Sequence, residues 1–85
     1  MKSFQYVVKD PLGIHARPAG LLVKEAKNFS SKITIKKDDK EADASRLMAV
    51  MALGVKGGME ITVTAEGADE DAACAAMKKF FEEQL

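Results

Sequence analysis

The chain has no tryptophan, one cysteine, one histidine and two prolines among its 85 residues. Cys74 alone cannot close an internal disulfide, and with a single histidine beside it no zinc-ligand set can be assembled. No metal and no cofactor is therefore expected, and the compartment is expected to be reducing and cytoplasmic. Neither sign of charge is in excess, since thirteen Lys and Arg balance thirteen Asp and Glu. That removes the whole-chain electrostatic footprint of a nucleic-acid binder. Ser3-Phe4-Gln5-Tyr6 stands where a secretory leader would place an apolar core. The longest apolar run, Leu47 to Leu53, is far short of the about 20 residues that span a bilayer, so membrane insertion is not expected.

What remains is ordinary globular material, 47% hydrophobic and 31% charged. A chain this short cannot be divided further, so residues 1–85 are expected to form a single domain. Phe4, Tyr6 and Val8 alternate with polar neighbours and mark a strand over Lys2 to Val8; Asp10-Pro11-Leu12-Gly13 then turns the chain. Ala19, Leu22, Val23, Ala26 and Phe29 recur at helical spacing, predicting a helix from Ala16 to Asn28 with Pro18 in its first turn, where a missing N–H leaves no bond broken.

Ile33 and Ile35 alternate within a second strand, and Asp38-Asp39 turns it into a short third strand, Lys40 to Ala42. A short helix follows over Ser45 to Leu53, with Asp43 or Ser45 as candidate cap and Gly54 as the residue that ends it. Ile61, Val63 and Ala65 mark a fourth strand. Asp69 caps a last helix that buries Ala73, Met77, Phe80 and Phe81, and Cys74 is assigned to the core. The order βαββαβα predicts an α+β fold, antiparallel strands backed on one face by helices.

The one histidine stands in Gly13-Ile14-His15-Ala16-Arg17-Pro18-Ala19-Gly20, between a glycine turn and the first turn of a helix. Free backbone N–H groups and the positive end of the helix dipole surround such an imidazole, and Arg17 adds a permanent cation. An anion fits there. The blander reading is a helix cap with Arg17 in solvent. Hydrolytic chemistry would need a positioned nucleophile, and the chain carries no elbow or partner motif for one. A covalent phosphohistidine needs less: one accessible ring nitrogen, anion-binding donors and a surface that lets two partners approach. Ala16, Gly20, Lys24 and Lys27 supply such a surface, roughly 100° round the helix from its apolar stripe. In the second helix Leu47, Met48, Val50, Met51 and Leu53 cannot all face inward, so part of that segment is expected at the surface.

Gly13-Ile14-His15-Ala16-Arg17-Pro18-Ala19, with Phe29-Ser30-Ser31-Lys32-Ile33, Leu53-Gly54-Val55 and Gly67-Ala68-Asp69-Glu70, closely resembles the HPr family, the histidine-containing phosphocarriers of the bacterial phosphoenolpyruvate:sugar phosphotransferase system. The resemblance covers essentially the whole chain. It implies an open-faced β-sandwich, four antiparallel strands with three helices on one face. It implies that His15 accepts a phosphoryl group on Nδ1 from phosphorylated enzyme I and passes it to sugar-specific IIA domains in sugar uptake, as a carrier rather than an enzyme. Arg17 would pair with the phosphate, assisted by the backbone amides of Ala16 and Arg17. Gly20, Lys24, Lys27, Leu47, Met48 and Met51 would form the contact patch for enzyme I, IIA domains and regulatory proteins, and the protein would be a monomer.

One position departs from the pattern. Where many relatives carry a serine that a dedicated kinase phosphorylates, this chain has Arg46. Ser45 is adjacent, but one residue along a helix lies about 100° away. Seryl regulation is accordingly expected to be absent or altered. Two competing functions are a regulatory module of this fold that docks without relaying phosphate, and a ferredoxin-like RNA-binding sheet. The histidine argues against the first. The second needs aromatic and basic residues on the outer sheet face, where Gln5, Thr34, Thr62 and Thr64 fall.

Overall fold

A computed structural model describes residues 1–85. The elements are β1 (Lys2–Val7), α1 (Ala16–Ala26), β2 (Lys32–Lys37), β3 (Lys40–Asp43), α2 (Leu47–Ala52), β4 (Glu60–Glu66) and α3 (Glu70–Gln84). They form one antiparallel sheet in the order β1-β4-β2-β3. The last strand in sequence is thus inserted between the first two, the arrangement of a split βαβ unit. Register carries the sequence alternation into space. Phe4 lies opposite Val63, Tyr6 opposite Ile61, Ile33 opposite Ala65, and Ile35 opposite both Val63 and Ala42. All of these share one face, because side chains two apart on a strand point the same way.

Helices cover that face. Ala19, Leu22, Val23 and Ala26 of α1, Val50 of α2, and Ala73, Met77 and Phe81 of α3 join the strand residues in one cluster of 20 buried side chains. Phe81 is fully buried and meets three rings, Phe4 edge-on at 6.2 Å, Tyr6 at 5.7 Å and Phe80 edge-on at 6.0 Å. The opposite face is polar. Gln5, Thr34, Thr62 and Thr64 lie on it without an aromatic ring beside them, so a base-stacking platform is lacking.

Several expectations need correction. α1 stops at Ala26 rather than Asn28, because the N–H groups of Asn28 and Phe29 donate three residues back, to Glu25 and Ala26, and tighten the chain out of α-geometry. α2 starts at Leu47 rather than Ser45, and neither Asp43 nor Ser45 caps it. The Asp43 carboxylate instead accepts from the N–H of Ser45 at 2.9 Å and its hydroxyl at 2.7 Å, a local turn that competes with helix. Arg46 takes the cap position and makes no side-chain cap bond. At the other end Gly54, φ +65°, closes α2 as the sequence predicts.

Asp69 occupies the cap position of α3, yet its side chain does not cap. It reaches back to the α1–β2 connection, accepting from Ser30 N–H at 3.0 Å, Ser31 N–H at 2.9 Å and the Ser31 hydroxyl. Those donors hold its carboxyl at about 2, below the ordinary carboxylate value. Cys74 is packed against the core without being buried in it, and Phe80 is likewise only partly covered.

Candidate functional site

The site begins with Gly13. Its φ of +68° belongs to the left-handed region, and its Cα lies so close to the Val55–Lys56 backbone that a Cβ would collide with it. This close approach lets Ile14 N–H donate to Val55 O at 3.1 Å, while Gly13 N–H donates to Asp10 O at 2.8 Å. Ile14 is buried, and the next residue, His15, is thereby fixed at the mouth of α1.

His15 holds the cap position of α1 in extended geometry, and its side chain makes no cap bond. The imidazole is therefore not occupied by the helix. Ala16 and Arg17 follow as the first two helical residues; their N–H groups have no intrahelical acceptor and donate to no other group of the chain. Pro18, third, has no N–H to donate. Two free amides and the positive end of an 11-residue helix thus adjoin the ring. The Arg17 side chain is exposed and lines the same hollow of about 320 Å³ as His15, Asp10, Pro18, Leu21 and Gln84. The ring is just over a third exposed, at 37%.

Asp10 is the residue that sequence reasoning passed over as turn punctuation. One carboxylate oxygen accepts from Leu12 N–H at 2.9 Å; the other stands 3.7 Å from His15 Nε2. The available signal was its place in a turn whose far end is the only histidine.

The remaining candidates divide by position. Gly20 and Lys24 are exposed on α1. Lys27 is also exposed, but as the residue after the helix it stands roughly 18 Å along the axis from His15. On α2, Met48 is 78% exposed, Leu47 41% and Met51 38%, whereas Val50 and Leu53 are buried. The apolar surplus of this segment therefore does divide between core and surface. α1 packs directly on α2. Leu21, exposed and lining the same hollow as the histidine, extends the apolar margin and was not among the expected residues. Arg46 is exposed, and Ser45 is half-buried with its hydroxyl donated to Asp43, whose carboxyl is lowered chiefly by that bond. Ser45 lines a different hollow, with Lys27, Phe29 and Ser31, away from His15.

Comparison with known proteins agrees along the whole length. A family model described as the PTS HPr component phosphorylation site matches residues 2–83. Phosphocarrier protein HPr of Mycoplasma capricolum is 46% identical over 79 residues, 93% of this chain and 89% of the relative. Among solved structures, a Mycoplasma histidine-containing phosphocarrier protein superposes with a TM-score of 0.94 at 43% identity, covering 96% of this chain and 93% of the other. An HPr dimer from Thermoanaerobacter tengcongensis gives 0.79 at 40% identity, covering 99% and 97%.

Proposed function

The chain belongs to the HPr family of the phosphotransferase system, and we propose that it carries a phosphoryl group on Nδ1 of His15, taken from phosphorylated enzyme I and delivered to sugar-specific IIA domains during sugar uptake. Proteins of this family act in that system beside enzyme I and IIA components, as phosphocarriers rather than as catalysts in their own right. The observation that carries the reading is an imidazole left out of helix capping, flanked by two unclaimed amides and an exposed arginine.

The chemistry follows from that arrangement. The Nδ1 lone pair attacks phosphorus, the N–P bond forms, and the bond from phosphorus to the donor breaks with its electron pair leaving on the donor. Charge on the phosphoryl oxygens is met by the Ala16 and Arg17 N–H groups and the Arg17 guanidinium. Gly20, Lys24, Lys27, Leu47, Met48 and Met51 form the docking patch, with methionine supplying apolar contact that repacks against different partners. The protein works in the cytoplasm as one HPr domain, residues 1–85, and as a monomer; a dimer by light scattering would remove the last point.

Seryl control of the kind that uses the position of Arg46 is absent or altered. Two features support this: the basic side chain at that position and the commitment of the Ser45 hydroxyl to Asp43. Phosphorylation of Ser45 by a purified HPr kinase with ATP would overturn it.

Incubation with enzyme I and phosphoenolpyruvate tests the main reading. An adduct labile in acid and stable in alkali is expected on the wild type and on no His15→Ala variant. An adduct of equal yield on that variant sinks the proposal.

A further inference from the structure

The phosphohistidine reading uses one ring nitrogen of His15 and leaves the other without a task. Nε2 faces Asp10 Oδ2 at 3.7 Å, a separation in ion-pair range and a small side-chain adjustment away from a hydrogen bond. The carboxylate is itself held in place. Asp10 N–H donates to Leu85 O at 2.8 Å, Asp10 O accepts from Gly13 N–H at 2.8 Å, and Oδ1 accepts from Leu12 N–H at 2.9 Å. The backbone there is also hemmed in from outside, since a Cβ on Gly57 would lie 2.7 Å from Asp10 O. Asp10 is thus fixed at three points, with its one free oxygen aimed at the imidazole. Arg17 is the other charged group lining the hollow.

We propose that Asp10 is a positioning residue for phosphoryl transfer: its Oδ2 accepts from His15 Nε2–H, fixes the tautomer whose lone pair is on Nδ1, and offsets the positive charge that the ring acquires. The proposal rests on the phosphohistidine reading. An imidazole that hydrogen-bonds through one nitrogen presents the other as nucleophile or ligand, and a carboxylate is a strong acceptor for that purpose.

Nδ1 gives its lone pair to phosphorus, the phosphorus–donor bond breaks towards the donor, and the Nε2 proton stays in place between ring and carboxylate. The ring is then a phosphorylated imidazolium, and Asp10 faces its charged N–H. In delivery the electron pair of the N–P bond returns to Nδ1, and the acceptor takes phosphorus. No proton need be lost or gained at either step. The two nitrogens point to different sides of the ring, so the phosphoryl group on Nδ1 is directed away from the carboxylate rather than against it.

Asp10→Asn and Asp10→Ala form the test, the first chosen because its amide oxygen preserves the Leu12 turn while removing the charge. Nitrogen-15 NMR of the imidazole reads the tautomer without any phosphorylation. In the wild type Nε2 should appear almost wholly protonated and Nδ1 as a bare acceptor; in Asp10→Ala both resonances should move towards those of an unconstrained imidazole. Single-turnover phosphorylation by enzyme I should slow on the order of 10-fold in Asp10→Ala, less in Asp10→Asn, with the KM for the carrier unchanged in both. Identical nitrogen spectra in all three proteins overturn the positioning role, as does a change in KM alone. If the wild type is not phosphorylated at all, the relay reading falls, while the spectra still decide whether Asp10 sets the tautomer.

Discussion

Replacing Gly13 by alanine should damage this protein far more than the same change at Gly54, although both glycines have positive φ, +68° and +65°. The dihedral penalty is common to the two, about 1–2 kcal/mol for a residue with a Cβ, reduced somewhat because alanine also restricts the unfolded chain. At Gly54 little else happens, since the nearest atom to the new Cβ is Lys37 Nζ at 3.8 Å. At Gly13 the Cβ would lie 2.5 Å from Lys56 Cα and 2.7 Å from the Val55 carbonyl carbon. The strands of backbone must separate, which breaks the Ile14 N–H to Val55 O bond between two buried residues, at about 1–3 kcal/mol, and disturbs their packing by a similar amount. The expected losses are roughly 4 kcal/mol for Gly13→Ala and roughly 1 kcal/mol for Gly54→Ala, against a total of about 4–13 kcal/mol for a chain of this length. Urea unfolding followed by far-ultraviolet circular dichroism reads the difference. With a slope of about 1 kcal/mol/M, the midpoint should fall by about 4 M for the first and about 1 M for the second. Equal shifts would refute the reasoning, because they would mean that the close approach, and with it the placing of His15, has no energetic weight.

Other expectations concern separate parts of the molecule. The Asp69 carboxyl, held at about 2 by the Ser31 hydroxyl and then by the Ser30 and Ser31 N–H donors, lies below its unfolded value near 3.8, so its contribution is present above that value and fades as pH falls towards 2. Wild-type stability should therefore decline on that acid limb more steeply than that of Asp69→Asn, and parallel urea midpoints from pH 5 to 2 would contradict this. Phe81→Ala removes a buried ring that meets Phe4, Tyr6 and Phe80, and should lose about 3–5 kcal/mol by thermal or urea unfolding. Gly20→Ala, on an open helix surface with nothing within 4 Å of the new Cβ, should gain about 0.5–1 kcal/mol. Met48→Asp places a charge on the most exposed of the large apolar side chains of α2, and should raise the KM that enzyme I shows for the carrier by about tenfold while leaving the stability within about 0.5 kcal/mol.

Element order and sheet face were legible because alternation and helical spacing speak for every core position of β1, β2, β4 and α3. The placement of His15 was legible for a similar reason: glycine, histidine and proline at fixed offsets describe a turn running into a helix. The ends of elements were less so. Periodicity says where a stripe points and is silent on which carbonyl each N–H selects, so the tightening after Ala26 left no mark in the residue pattern. Two of the acidic residues misled in a consistent way. Asp43 and Asp69 each stand where a cap residue belongs, but their carboxylates bond to Ser45 and to Ser30 and Ser31, whereas Asp10 bonds to Leu12 within the turn the sequence predicts. For Asp69 that partner is 38 residues distant, a pairing that local sequence cannot express.

With His15 as the proposed phosphoryl acceptor, the single imidazole at the mouth of α1 also dictates a kinetic regime. A carrier with one reactive nitrogen and one surface around it must release its donor before it can meet its acceptor, so tight binding to either would stall the relay. If each encounter forms at about 10⁷ M⁻¹s⁻¹ and must dissolve within roughly 10 ms, the dissociation constant cannot be much below about 10 μM. Affinity here is bounded from above by throughput. The few exposed apolar side chains of α2, set beside a solvated basic stripe, suit such brief contacts: enough surface to orient a partner, too little to keep it.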